Sequence, residues 1–230
     1  MTEERFDIYD EEDRWIGTAS RHDTHRMGYW HHSFHCWIVR QEGARSYLLF
    51  QQRQSSKDTY PDLYDITAAG HLIAGENMSM AARELQEELG VMAEFRQLIP
   101  IGDTREELQG NLKGVPFIDR EVSSIFGLLD QRPLHEYQLQ QEEVAGLYEA
   151  DLEDMLALFE GRLPMVQARG VSVEAKSTGD SPSLVDRQVT AQEFVPRQLD
   201  YYRRICRALL HIVAGSNEVS NTNRNGIHQE

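Results

Sequence analysis

The segment from Gly70 to Val91, GHLIAGENMSMAARELQEELGV, narrows what this chain can fold into more than any other stretch. At about 100° per residue, Met78, Ala81, Ala82, Leu85 and Leu89 fall on one helical arc that must face a core. Glu84, Glu87 and Glu88 fall on another arc, at spacings i, i+3 and i+4. Like charges so placed destabilise a helix by about 0.2–0.5 kcal/mol per pair. A hard divalent cation taken by the carboxylate oxygens reverses that cost. On a merely solvated face, Arg83 and Glu87 would simply pair across one turn. The flanks favour the cation. Gly70 ends a short apolar strand, Gly75-Glu76 sit in a loop, and Gly90 offers the left-handed residue that stops a helix. Strand, loop and acidic helix then aim several carboxylates at one point.

The rest of the chain reads as α+β. Arg5–Tyr9 and Trp15–Ala19 flank an acidic turn and predict a hairpin, followed by a histidine-rich stretch from His22 to His35. Phe34–Arg40 and Ser46–Gln51 predict a second hairpin, and Asp65–Ala69 a short buried strand. A helix is expected over Ser79–Leu89, strands around Phe95–Ile101 and Glu121–Leu129, and a helix over Asp151–Phe159 packing through Leu152, Met155, Leu156 and Phe159. Beyond Gly161 come a hairpin turning at Ser177–Ser183 and a helix near Pro196–Ala214, with Thr190 and Glu193 as a capping box ahead of it. That helix would bury Leu199, Tyr202, Cys206, Leu209 and Val213. The expected organisation is a catalytic domain over 1–160, an extension packed on it over 161–214, and a disordered Asn-, Ser- and Gly-rich tail over 215–230.

The Gly70–Val91 segment resembles the Nudix box, Gx5Ex7REUxEExGU with U a bulky apolar residue. Gly70, Glu76, Arg83, Glu84, Leu85, Glu87, Glu88, Gly90 and Val91 carry the likeness. One departure is plain: six residues, not seven, separate Glu76 from Arg83, so the helix glutamates carry more weight than Glu76. The resemblance implies an α/β/α sandwich around a mixed sheet, here with a C-terminal hairpin-helix extension. It also implies glutamates that hold Mg2+ or Mn2+, an arginine that orients one of them, and activated water that attacks phosphorus in a diphosphate-containing small molecule. Catalytic roles fall to Arg83, Glu84, Glu87 and Glu88.

From about His25 to Leu158 the chain is similar to the isopentenyl diphosphate isomerase-like branch of that family. The segment Gln52–Pro61 resembles its diphosphate-binding stretch, which makes Arg53 and Lys57 the substrate-contacting cations. Two cations on one loop suit a diphosphate on bare physical grounds as well. Parts of the isomerase metal site are also present, with His31, His71 and Glu121 as ligands, Asp119 beside them and His25 a looser match. The isomerase, however, needs a cysteine directly before the Gly-His pair, and Ala69 stands there. A methyl group transfers no proton. The reading is therefore a Nudix hydrolase, with an isomerase-like enzyme and a non-catalytic nucleotide-binding module as its rivals. Glu142 and Glu143 are candidates for a late ligand, and Tyr29, Trp30, Tyr60 and Tyr64 for stacking on a ring.

Charge sharpens this. A net charge of −15 speaks against nucleic-acid backbone as a partner, and an acidic protein with an anionic substrate needs a cation to bring them together. Cys36 and Cys206 form no ligand spacing and read as reduced core thiols, and no leader or membrane-length apolar run is evident, so a cytoplasmic location and no membrane partner are expected. Three roles are open to the extension: covering the sheet, shaping the pocket, or forming the contact of a homodimer.

Overall fold

A computed structural model describes residues 3–112, 115–173, 184–198 and 200–225. β1 (Arg5–Tyr9) and β2 (Trp15–Ser20) form the first hairpin. Its turn closes because Asp10 Oδ1 accepts from the backbone N–H of Glu12 and Arg14, each at 3.0 Å. Part of the histidine-rich stretch folds as helix α1 (Arg21–Met27), an element the polar composition did not announce. Ser20 caps its start through the N–H of Asp23, and Gly28 ends it at φ 68°.

β3 (Trp30–Glu42) and β4 (Arg45–Arg53) make the second hairpin. The single strand expected after it is split in two. β5 (Tyr64–Asp65) pairs with β4, and β6 (Ala68–His71) pairs with β3. Thr67 lies between them, its hydroxyl accepting from Ile38 N at 3.0 Å and donating to Leu49 O. The side chain thus satisfies backbone groups where the strand leaves one neighbour for the other.

Helix α2 (Arg83–Leu89) begins at Arg83 rather than Ser79. The turns before it are tighter than an α-helix, with Met80 N bonded to Asn77 O at 2.9 Å and Arg83 N to Met80 O at 3.1 Å. Gly90 closes it at φ 68° as expected. β7 (Ile99–Leu112) and β8 (Val115–Leu129) form a long hairpin, and residues 95–97, read as strand, are a short 3-10 turn. β9 (Val144–Asp151), unassigned in the sequence, runs into α3 (Leu152–Phe159), whose N-terminus Asp151 caps. β10 (Val166–Ser172) and β11 (Leu184–Val189) are the C-terminal hairpin; its expected turn at 177–183 lies outside the described residues.

The Thr190–Glu193 box forms both its bonds, but it caps only one 3-10 turn. Pro196 forces the residue before it out of helical geometry. The helix, α4, starts at Tyr201 and runs to Asn225, past the residue 214 at which it was expected to end; 226–230 are not described. Cys206, Leu209 and Val213 are buried on it, Tyr202 is half-buried, and Leu199 is outside the described residues.

The main sheet path runs β11-β10-β9-β4-β3-β1-β2, with β8 parallel to β3 and the other pairings antiparallel. Alternate residues of β3 serve opposite faces. Trp37 and Val39 join Phe50, Met155, Leu158, Ile205 and Leu209 in a core under α3 and α4. Cys36 and Ile38 join Leu49, Leu85 and Leu89 in a second core under α2. The result is the α+β sandwich with a mixed sheet that the sequence predicted. Both cysteines are buried and unpaired in these cores.

Candidate active site

A cavity of about 1160 Å3 is lined from β3, β6, β8, α1, α2 and the loop after β4. Arg53, Lys57, His71, Arg83, Glu84, Glu87, Glu88 and Glu121 all line it; His31 lies beneath the wall, fully buried.

Helix α2 supplies one wall. Arg83 organises it, with Nη1 donating to Glu84 Oε1 at 2.6 Å and to Glu87 Oε2 at 2.9 Å. Its Nε and Nη2 donate to the two oxygens of Glu76 at 2.8 and 3.1 Å. The shortened spacing therefore leaves Glu76 engaged, because the tight turns over 77–82 absorb the missing residue. Glu88 turns the other way, accepting from Gln51 Nε2 and Ala69 N at 3.2 Å each. Among the described residues, these three helix carboxylates share a wall but do not close within 4.8 Å as a trio. Repulsion and their separate donors keep them apart. Gly70 makes room for the arrangement: a Cβ there would lie 2.2 Å from Glu84 Cδ. Burial, and then the neighbouring Glu84, push the Glu88 carboxyl well above its usual range. Burial also raises Glu84, against the opposing pull of Arg83.

The second wall is a histidine and carboxylate cluster. One ligand atom each from His25, His31 and His71 lies within 4.8 Å of the others, and so do those of His31, Asp119 and Glu121. His31 Nδ1 sits 3.2 Å from Tyr29 O, and a carbonyl can only accept, so the proton is on Nδ1 and Nε2 carries the free lone pair. Burial, then the His71 charge, lowers His31 to about 4, so its ring is neutral at pH 7. Its Nε2 lies 3.6 Å from Asp119 Oδ1 and His25 Nε2 lies 3.4 Å from it; all three atoms are buried without a hydrogen bond. Orphaned buried polar atoms cost about 1–3 kcal/mol each. Neutral imidazoles with carboxylates are donors that suit a divalent cation. Glu121 accepts from Ser33 Oγ at 2.8 Å and pairs with His71 Nε2 at 3.1 Å. Burial alone would raise it, but the His71 bond and charge hold it well below the usual range. Phe6 of β1, which the sequence did not flag, stacks on His31 and His71 at 5.1 and 4.8 Å.

Arg53, the last residue of β4, and Lys57, on the loop after it, are already committed. Lys57 pairs with Glu143, and burial, then Arg53, lowers its pKa. Arg53 donates through Nη1 to Asp65 Oδ2 at 3.0 Å and through Nε and Nη2 to Thr59 O at 3.1 and 2.9 Å. Glu142 lines the cavity. Of the four aromatics considered, Tyr60 also lines it; Tyr64 is in the core, and Trp30 is buried with Arg105 over its ring at 3.8 Å.

The NUDIX domain family matches residues 30–167. The chain is 37% identical over 210 residues to a Nudix hydrolase of Clostridium acetobutylicum, covering 91% of this chain and 98% of that one. An isopentenyl-diphosphate Delta-isomerase of Salmonella arizonae is 30% identical over 158 residues, covering 68% of this chain and 81% of its own. A crystal structure of a Deinococcus radiodurans protein shares the fold, with a TM-score of 0.51 at 20% identity over 69% of this chain and 90% of that one.

Proposed function

This chain belongs to the Nudix family of hydrolases, and from that premise we propose that it is a divalent-cation-dependent enzyme that splits a phosphoanhydride bond in a nucleoside diphosphate derivative or another small diphosphate compound. The observation that carries the reading is Arg83, bonded to Glu76, gathering Glu84 and Glu87 on the wall of the large cavity, with Glu84 seated against Gly70. Mg2+ or Mn2+ held by Glu84, Glu87 and Glu88 would neutralise phosphate charge and acidify a water molecule near neutral pH. A second cation fits His25, His31, His71, Asp119 and Glu121, of which His25 Nε2, His31 Nε2 and Asp119 Oδ1 are buried without a hydrogen bond.

The chain's own groups then divide the work. Lys57 exchanges Glu143 for a phosphate oxygen, and Arg53 is held ready beside it. Arg83 fixes the orientation of Glu84 and Glu87. Glu84, seated against Gly70 and oriented by Arg83, is placed to take the proton of the attacking water.

Isomerase chemistry is disfavoured by Ala69, which lines the cavity with a methyl group while Cys36 and Cys206 are buried in the cores. Screening nucleoside di- and triphosphates, nucleotide sugars, dinucleotides and prenyl diphosphates with Mg2+ and Mn2+ identifies the substrate. The variants Glu87→Gln and Glu88→Gln are expected to abolish cation-dependent phosphate release while the fold is retained. Unchanged turnover in both ends the assignment, and deuterium exchange into isopentenyl diphosphate would restore the isomerase.

A further inference from the structure

The segment leading into α4 lies past residue 167, where the family match ends, yet it forms part of the cavity wall. Val195 N donates to Tyr64 O at 2.8 Å and Gln198 Nε2 donates to Arg105 O at 2.6 Å, so residues 194–198 are pinned across β5 and β7. This delivers Arg197 to the wall with its side chain 12% exposed. Its Nη2 donates to Asp65 Oδ1 at 2.9 Å and its Nη1 to Glu106 Oε2 at 3.2 Å. The other oxygen of Asp65, a residue 4% exposed at its side chain, accepts from Arg53 Nη1 at 3.0 Å. Arg53, Asp65 and Arg197 thus form a chain in which one buried carboxylate gives a different oxygen to each arginine, Oδ1 also accepting from Ile66 N at 2.9 Å.

We propose, resting on the reading of Arg53 as a diphosphate contact, that Arg197 is a positioning residue that holds Arg53 toward the substrate through Asp65. A carboxylate and a guanidinium left to themselves pair side by side through two bonds. Asp65 released from Arg197 is held at Oδ1 only by the Ile66 N–H, and can rotate to take the remaining Nη1 N–H of Arg53 and draw its fork toward the β5 wall. With Arg197 occupying Oδ1, Arg53 makes a single bond to Asp65, and since Nε and Nη2 are taken by Thr59, it keeps one Nη1 N–H for phosphate. The C-terminal extension thereby tunes a site built by the family's domain.

The test uses the full chain and inorganic pyrophosphate with Mg2+, followed by calorimetry, in wild type, Arg53→Met, Arg197→Met and the double variant. Each single variant is expected to weaken pyrophosphate binding by about tenfold, the loss of one charge-assisted bond. The double variant should be no weaker than Arg53→Met, because Arg197 acts only through Arg53. Arg197→Lys should recover most of the loss, and Mn2+ affinity without pyrophosphate should stay at the wild-type value in Arg197→Met. Losses that multiply in the double variant, wild-type binding in Arg197→Met, or an equal fall in Mn2+ affinity overturn the proposal. If Arg197→Met fails to fold, Asp65→Asn takes its place, with the same loss and the same non-additivity expected. Wild type that ignores pyrophosphate, or Arg53→Met that binds it normally, defeats the diphosphate reading itself and the proposal with it, a result distinct from failure at Arg197 alone.

Discussion

Gly70 shows how the site depends on a single atom. Its missing Cβ is the space in which the Glu84 carboxylate sits, at 2.2 Å from where that carbon would be. Gly70→Ala must push Glu84 aside, and a displacement of about 1 Å in a catalytic group costs about 100-fold in rate. We expect that loss in cation-dependent phosphate release with little change in the melting temperature, both measured on the same preparation. The glutamates and Arg83 were legible in the sequence because a helix repeats their positions locally. Glu76 was not, since its six-residue spacing leaves open whether it reaches the arginine, and only the turns at 77–82 show that it does. His25 was equally ambiguous, because its place beside Asp119 depends on α1, a helix that the polar composition hides.

At the scale of elements, strong local signals and lent ones part company. Asp151 caps α3 by accepting from Glu153 N and Asp154 N, a signal contained within four residues. Asp151→Ala is expected to cost about 1 kcal/mol and lower the melting temperature by about 2–4 °C, read by thermal unfolding. β9, by contrast, is buried along nearly its whole length and shows neither a clean alternation nor a helical period. Its conformation comes from β4 and β10 on either side, so the sequence alone left it unassigned. The same cause split the strand at Asp65–Ala69, where Thr67 bonds to two neighbouring strands that no local pattern reveals.

For the whole molecule, β10 and β11 extend the sheet, and α4 shares one core with α3, placing Ile205 and Leu209 with Trp37 and Phe50. A chain ended at Gly161 would expose that core. It is expected to lose cooperative thermal unfolding by circular dichroism, whereas a sharp melt would mark residues 1–161 as an independent unit. Acid should also weaken the fold through His35. Burial, then the nearby Arg197 charge, pushes this ring down to about 3, against 6.5 for an ordinary histidine. Above pH 6.5 neither state is protonated and nothing is lost. As the pH falls from 6.5 toward 3, the unfolded chain binds a proton that the folded chain refuses, so stability drops by about 1.4 kcal/mol per pH unit. Urea unfolding between pH 7 and 4 measures this, and His35→Gln should flatten the slope. By itself, the sequence determined the glutamate face, its arginine, its terminating glycine and the α+β class, because these are periodic or contiguous patterns that obey local geometry. Tertiary structure alone decided that Glu84 would rest on Gly70, that histidines from α1, β3 and β6 would meet acids from β8, and that Arg197 would grip Asp65 from 132 residues away. Such contacts depend on how distant strands register against one another, and no local period encodes that.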